Sequence, residues 1–71
     1  MISTPVESRT LNTVAYDPAG QVLRLEFRSR VVYCYFHVPA DVYQDLMAAD
    51  SKGVYFNRHI RGRFPYHRLT D

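Results

Sequence analysis

Residues 31–39, Val-Val-Tyr-Cys-Tyr-Phe-His-Val-Pro, divide this chain into a part that reads as sheet and a part that reads as helix. β-Branched and aromatic side chains without a glycine favour extended backbone, and Pro39 closes the strand and is suited to open a helix. A chain of 71 residues has room for one domain with one small core. Whatever precedes the strand must therefore pair with it, and whatever follows must cover one of its faces.

The segment before it divides into two further strands. Residues 1–9 are polar, contain Pro5 and lack apolar periodicity, so they read as a flexible arm before a single domain at 10–70. Thr13, Val14 and Tyr16 give residues 11–16 strand content, and Asp17-Pro18-Ala19-Gly20 is a turn in which glycine can take a positive φ. Residues 22–28 alternate, with Leu23, Leu25 and Phe27 on one face and Arg24, Glu26 and Arg28 on the other.

The next turn, Arg28-Ser29-Arg30, has two solutions. A two-residue loop sets Phe27 opposite Val32, buries Cys34 and Phe36, and leaves Tyr33 and Tyr35 outside beside Arg24 and Arg28. A three-residue loop with a bulge sets Phe27 opposite Val31 and buries the two tyrosines, because a one-residue slip exchanges the faces.

After Pro39, the stripe Val42, Leu46 and Ala49, flanked by Tyr43 and Met47, predicts a helix over 40–49 with Asp41 in its first turn. Ser51 is placed to cap a second helix over 52–60, with Phe56 and Ile60 on one face, Arg58 and Arg61 on another, and Gly62 at its end. The tail from Arg63 to Leu69 is aromatic enough to pack back over the core in extended form. The expected fold is therefore α+β, a three-stranded antiparallel meander followed by two helices on one face, in the order βββαα.

Charge is distributed unevenly. Residues 51–68 hold Lys52, Arg58, Arg61, Arg63 and Arg68 without an acid, whereas residues 1–50 hold four arginines against six acids. Such a segment attracts phosphate or another acidic surface, or else serves as a solvated face opposite Asp41, Asp45 and Asp50. The lone Cys34 cannot form an internal disulfide, and no apolar run reaches membrane-spanning length, so a cytoplasmic protein is expected. No nucleophile, base and oxyanion donor can be named together. Cys34 and His37 lie three apart on a strand, and His37, His59 and His67 lack metal-ligand spacing, so neither catalysis nor a metal or other cofactor is expected.

Tyr16, Leu23, Phe27, Tyr33-x-Tyr35, Val38-Pro39, Ala49-x-Ser51-x-Gly53, Tyr55-Phe56-Asn57 and Ile60-Arg61 together resemble the KTSC domain, a short module at the end of some lysyl-tRNA synthetases and also a free-standing bacterial protein. The resemblance implies a small α+β domain without an established activity, and its place on a tRNA-charging enzyme implies RNA as a partner. This chain looks like the free-standing form. It departs from the family in carrying Arg30 where glycine is common; a positive φ there costs an arginine roughly 1 kcal/mol.

The leading expectation is a non-catalytic RNA-binding module, with tRNA as the family-level ligand. Lys52, Arg58, Arg61, Arg63 and Arg68 would supply phosphate contacts, and Tyr33 and Tyr35 would supply stacking if exposed. Ser51-Lys52-Gly53 at a helix start is a three-residue candidate for an anion, or simply a cap and a tight passage between helices. The rival is a module for a protein partner or for self-association, in which the tyrosines form an apolar patch; no membrane contact is expected.

Overall fold

The structure, a computed structural model, describes residues 1–70. It contains β1 (Thr4–Pro5), β2 (Leu11–Asp17), β3 (Val22–Phe27), β4 (Val32–Tyr35), α1 (Ala40–Ala48), α2 (Lys52–His59) and β5 (Tyr66–Arg68). The sheet is antiparallel with five strands in the order β1-β2-β3-β4-β5. The α+β class and the two helices agree with the sequence pattern, but the expected meander of three strands is too small. Thr4 pairs with Val14 at one edge, and the aromatic tail adds β5 at the other, with Tyr35 opposite Tyr66. Strands of two and three residues carry too little periodicity to stand out from loop sequence.

Both hairpin turns use left-handed residues other than glycine. Between β2 and β3 the positive φ falls on Gln21, at 55°, rather than on Gly20, while the Asp17 carboxylate accepts from the Ala19 N–H at 3.1 Å. Between β3 and β4 the Phe27 N–H donates to Val31 O, the Arg30 N–H donates to Phe27 O, both at 2.9 Å, and Arg30 adopts φ 73°. This is the three-residue loop, and it places Glu26 opposite Val32, Leu25 opposite Tyr33 and Leu23 opposite Tyr35. Tyr33 and Tyr35 therefore share the helix-covered face with Leu23 and Leu25, and the exposed platform beside Arg24 and Arg28 does not form. Arg24 belongs to the other face, where it donates to Ser3 Oγ at 2.9 Å, and Arg28 donates to Ser8 O at 3.0 Å.

A bulge in β2 solves a second problem of parity. Leu11 and Val14 are three apart and would point to opposite faces of a regular strand, yet both are fully buried in one core. The ladder shifts between Leu11 and Thr13, so Asn12 is the extra residue and both apolar side chains turn inward. The core then comprises Leu11, Val14, Leu23, Leu25, Tyr35, Val38, Leu46, Phe56 and Ile60. Each fully buried leucine or isoleucine contributes about 1.5–3 kcal/mol.

The helices are fixed by caps and by one close approach. Pro39 is the N-cap of α1 and Asp41 lies in its first turn; Val42, Tyr43, Leu46 and Met47 pack on the core. Tyr16 stacks on Tyr43 at 4.6 Å and donates its hydroxyl proton to Val38 O at 2.6 Å, tying β2 to the entrance of α1. Ser51 caps α2, its Oγ accepting from the Val54 N–H at 3.3 Å. Gly62, at φ 73°, follows α2 and turns the chain toward β5.

Candidate functional site

Between β4, α2 and β5 lies a cleft of about 520 Å³ lined by Phe27, Tyr33, Tyr35, Phe56 and Tyr66, with Thr10, Asn57, Arg61 and Gly62 completing it. Alternation puts Tyr33 and Tyr35 on one face of β4, and pairing of Tyr66 with Tyr35 extends that face onto β5. Phe56 reaches it from α2, whose one-turn spacing places Phe56 and Ile60 on the sheet.

The rings make a continuous network. Phe27 meets Tyr33 at 5.8 Å and Phe56 at 5.3 Å, both edge to face, and Tyr35 meets Phe56 and Tyr66 at 5.6 Å each. Edge-to-face contacts of this kind match the positive rim of one ring to the negative face of another. The cleft deepens inward, with Tyr35 4% exposed, Phe56 5% and Tyr66 61%. Burial, then the neighbouring Tyr33 and Tyr66, push the Tyr35 hydroxyl above its ordinary pKa, and Arg61 partly opposes them. The Tyr35 hydroxyl is thus held uncharged, and Arg61 brings a guanidinium to the same cleft.

The basic residues singled out from sequence are only partly brought together. Arg61 lines the cleft. Arg58 and Arg63 are exposed on α2 and on the turn after it, and Arg68 stands opposite Tyr33 on β5 with its Nε donating to Thr70 O at 2.6 Å. Lys52 lies apart: its Nζ donates to Ala49 O at 3.2 Å, in a second cleft of about 450 Å³ whose lining includes Glu7, Arg9, Asp50, Ser51 and Gly53. Around Ser51, Lys52 and Gly53 the hydroxyl oxygen serves the α2 cap, the ammonium serves a carbonyl, and two carboxylates face the same space. Gly53 is buried there because its α-carbon passes Thr10 with no room for a side chain.

Thr10, Phe27, Phe56 and Asn57 are cleft residues that the sequence does not single out for binding. Phe27 and Phe56 carry an apolar signal that reads as core, and Tyr66 joins the cleft only through the pairing of β5. Cys34 sits on the opposite side of β4, across from His67, and burial pushes its thiol up while Arg24 lowers it less. A thiol so held is mostly protonated near neutrality. Among the described residues, no group of three or more His, Cys, Asp or Glu side chains converges as metal ligands do, and no helix is long and apolar enough to cross a membrane.

Residues 7–64 match the KTSC domain family. The chain belongs to that family. A protein of Tsukamurella paurometabola is 43% identical over 60 residues, which cover 84% of this chain and 90% of that protein. A lysine-tRNA ligase of Nostoc sp. is 42% identical over 64 residues, covering 90% of this chain but 11% of the ligase. The KTSC sequence therefore occurs both in small proteins and as a minor part of a tRNA ligase. The crystal structure of a KTSC domain protein from Yersinia pestis has the same fold, with a TM-score of 0.94, 33% identity and 97% coverage of each chain.

Proposed function

We propose that this KTSC domain is a non-catalytic RNA-binding module, with tRNA as the leading ligand. The observation that carries the reading is an aromatic cleft with Arg61 among its lining residues, set in a stretch that holds five basic residues and no acid between positions 51 and 68. Arg58, Arg61, Arg63 and Arg68 are exposed where phosphates could reach them, Arg68 with its Nε already on Thr70 O, and the similarity to part of a tRNA ligase points the same way. Lys52 adds to the electrostatic attraction at longer range, whereas Glu7 and Asp50 beside the Ser51-Lys52-Gly53 corner disfavour an anion there.

The test is a titration of the isotopically labelled chain with bulk tRNA and a short single-stranded RNA, followed by NMR at low and moderate salt. Shifts are expected at Arg58, Arg61, Arg63, Tyr66 and Arg68. If about five phosphates on a single strand are neutralised, a fourfold rise in salt lowers affinity by about 100-fold. Absence of shifts at low salt refutes the reading. Exposed Tyr66 and Leu69 at the edge of the sheet favour the second reading, a protein partner or a second copy, whose binding would respond little to salt.

A further inference from the structure

We infer that the aromatic cleft takes a single unstacked nucleobase, so that the ligand class is RNA with an unpaired nucleotide rather than continuous duplex; this rests on the RNA-binding reading above. Duplex RNA offers phosphates, 2′-hydroxyls and groove edges, and its base faces are covered by their neighbours. The rings here are recessed, with Tyr35 and Phe56 almost wholly buried at the floor. A surface designed to follow a duplex has no use for a recessed apolar floor, whereas a base swung out of its stack fills one.

The dimensions and chemistry agree. A volume of about 520 Å³ lies within the range of about 300–1,000 Å³ typical of small-molecule sites. Tyr66 is the half-free ring: it meets Tyr33 edge-on at 5.6 Å and Tyr35 at 5.6 Å, yet remains largely exposed, which leaves ring surface for a base. Asn57 is exposed and lines the same cleft, and its amide offers a donor and an acceptor, the pairing that a base edge presents. Arg61 supplies a cation for the attached phosphate, and among the described residues no carboxylate lines the cleft. The second cleft differs on that last point, because Glu7 and Asp50 line it.

The experiment compares three RNAs against the full chain: a blunt duplex, the same duplex with one unpaired nucleotide in its middle, and the corresponding single strand. The bulged duplex and the single strand are expected to bind roughly 5- to 150-fold more tightly than the blunt duplex, the effect of one base stacked on an aromatic ring. Tyr66→Ala should erase that preference, Tyr66→Phe should keep it, and Arg63→Ala should weaken all three RNAs alike. In the unmodified protein, the Asn57 side-chain amide signals should move with bulged but not with blunt duplex, a readout that needs no variant to fold. Equal binding of blunt and bulged duplex, with Arg63→Ala weakening both, overturns the base pocket while leaving RNA binding intact. Failure of every RNA to bind overturns both.

Discussion

Arg30→Gly should make this protein more stable. Arg30 holds φ 73° in the β3–β4 turn, where its N–H closes the loop onto Phe27 O. A side chain with a β-carbon in the left-handed region costs about 1–2 kcal/mol. Glycine removes that strain but adds backbone entropy to the unfolded chain, a cost of roughly 0.5–1 kcal/mol. The Arg30 side chain is exposed, so its loss subtracts little. The expected net gain is therefore about 0.5–1 kcal/mol, which for a domain of this size raises Tm by about 2–8 °C. Urea unfolding followed by circular dichroism should show a higher midpoint with an unchanged slope. Arg30→Ala is the control, since it removes the charge and the long side chain but keeps the β-carbon, and it should leave the midpoint nearly unmoved. If the glycine and alanine variants unfold together, or the glycine variant unfolds first, the strain assigned to this turn is not there.

Two further outcomes follow from packing and titration. Gly53→Ala should lower stability by about 1–3 kcal/mol despite alanine's better helix propensity, because the new β-carbon collides with Thr10 Oγ1 and lies 3.0 Å from Thr10 Cβ. Thr10→Ala should restore part of that loss in the double variant, and strict additivity of the two changes would contradict the proposed contact. The hydroxyls of Tyr16, Tyr35 and Tyr55 are all pushed above their ordinary 10.0 by burial first, with Asp17 and Asp41 adding at Tyr16 and Asp45 and Asp41 at Tyr55. Above about pH 10 the unfolded chain releases these protons before the folded one, so stability should fall with rising pH from there. Urea midpoints measured across that range check the sign, and a midpoint that rose would refute it.

The sequence makes the long elements readable because their apolar periods are uninterrupted: Leu23, Leu25 and Phe27 at a spacing of two, and Val42 and Leu46 at four. Ser51 and Gly62 are similarly legible, since each sits at a helix end that needs its particular chemistry. What sequence alone leaves open is parity. Whether Tyr33 and Tyr35 face in or out depends on the single left-handed residue Arg30, and the arginine itself does not signal the conformation that the family's usual glycine there would suggest. The inserted Asn12 hides the shared face of Leu11 and Val14 in the same way. The cleft is harder still, because Phe27, Phe56 and Tyr66 come from three elements, and Tyr66 reaches Tyr33 and Tyr35 only when β5 joins the sheet.

That last strand gives the cleft an unequal pair of walls. Phe27, Tyr33, Tyr35 and Phe56 belong to the core or pack directly on it, but Tyr66 rides on three residues at the sheet's edge. Short edge strands detach at a fraction of the free energy of global unfolding, so amide protons on β5 should exchange with solvent well before those of β2 and β3. Docking of β5 thus completes the cleft, because Tyr66 arrives with it. Anything held between Tyr66 and Phe56 acts as a clasp on β5, and its arrival is readable as slowed exchange at Tyr66, His67 and Arg68, residues on a strand that, among the described residues, pairs with β4 alone.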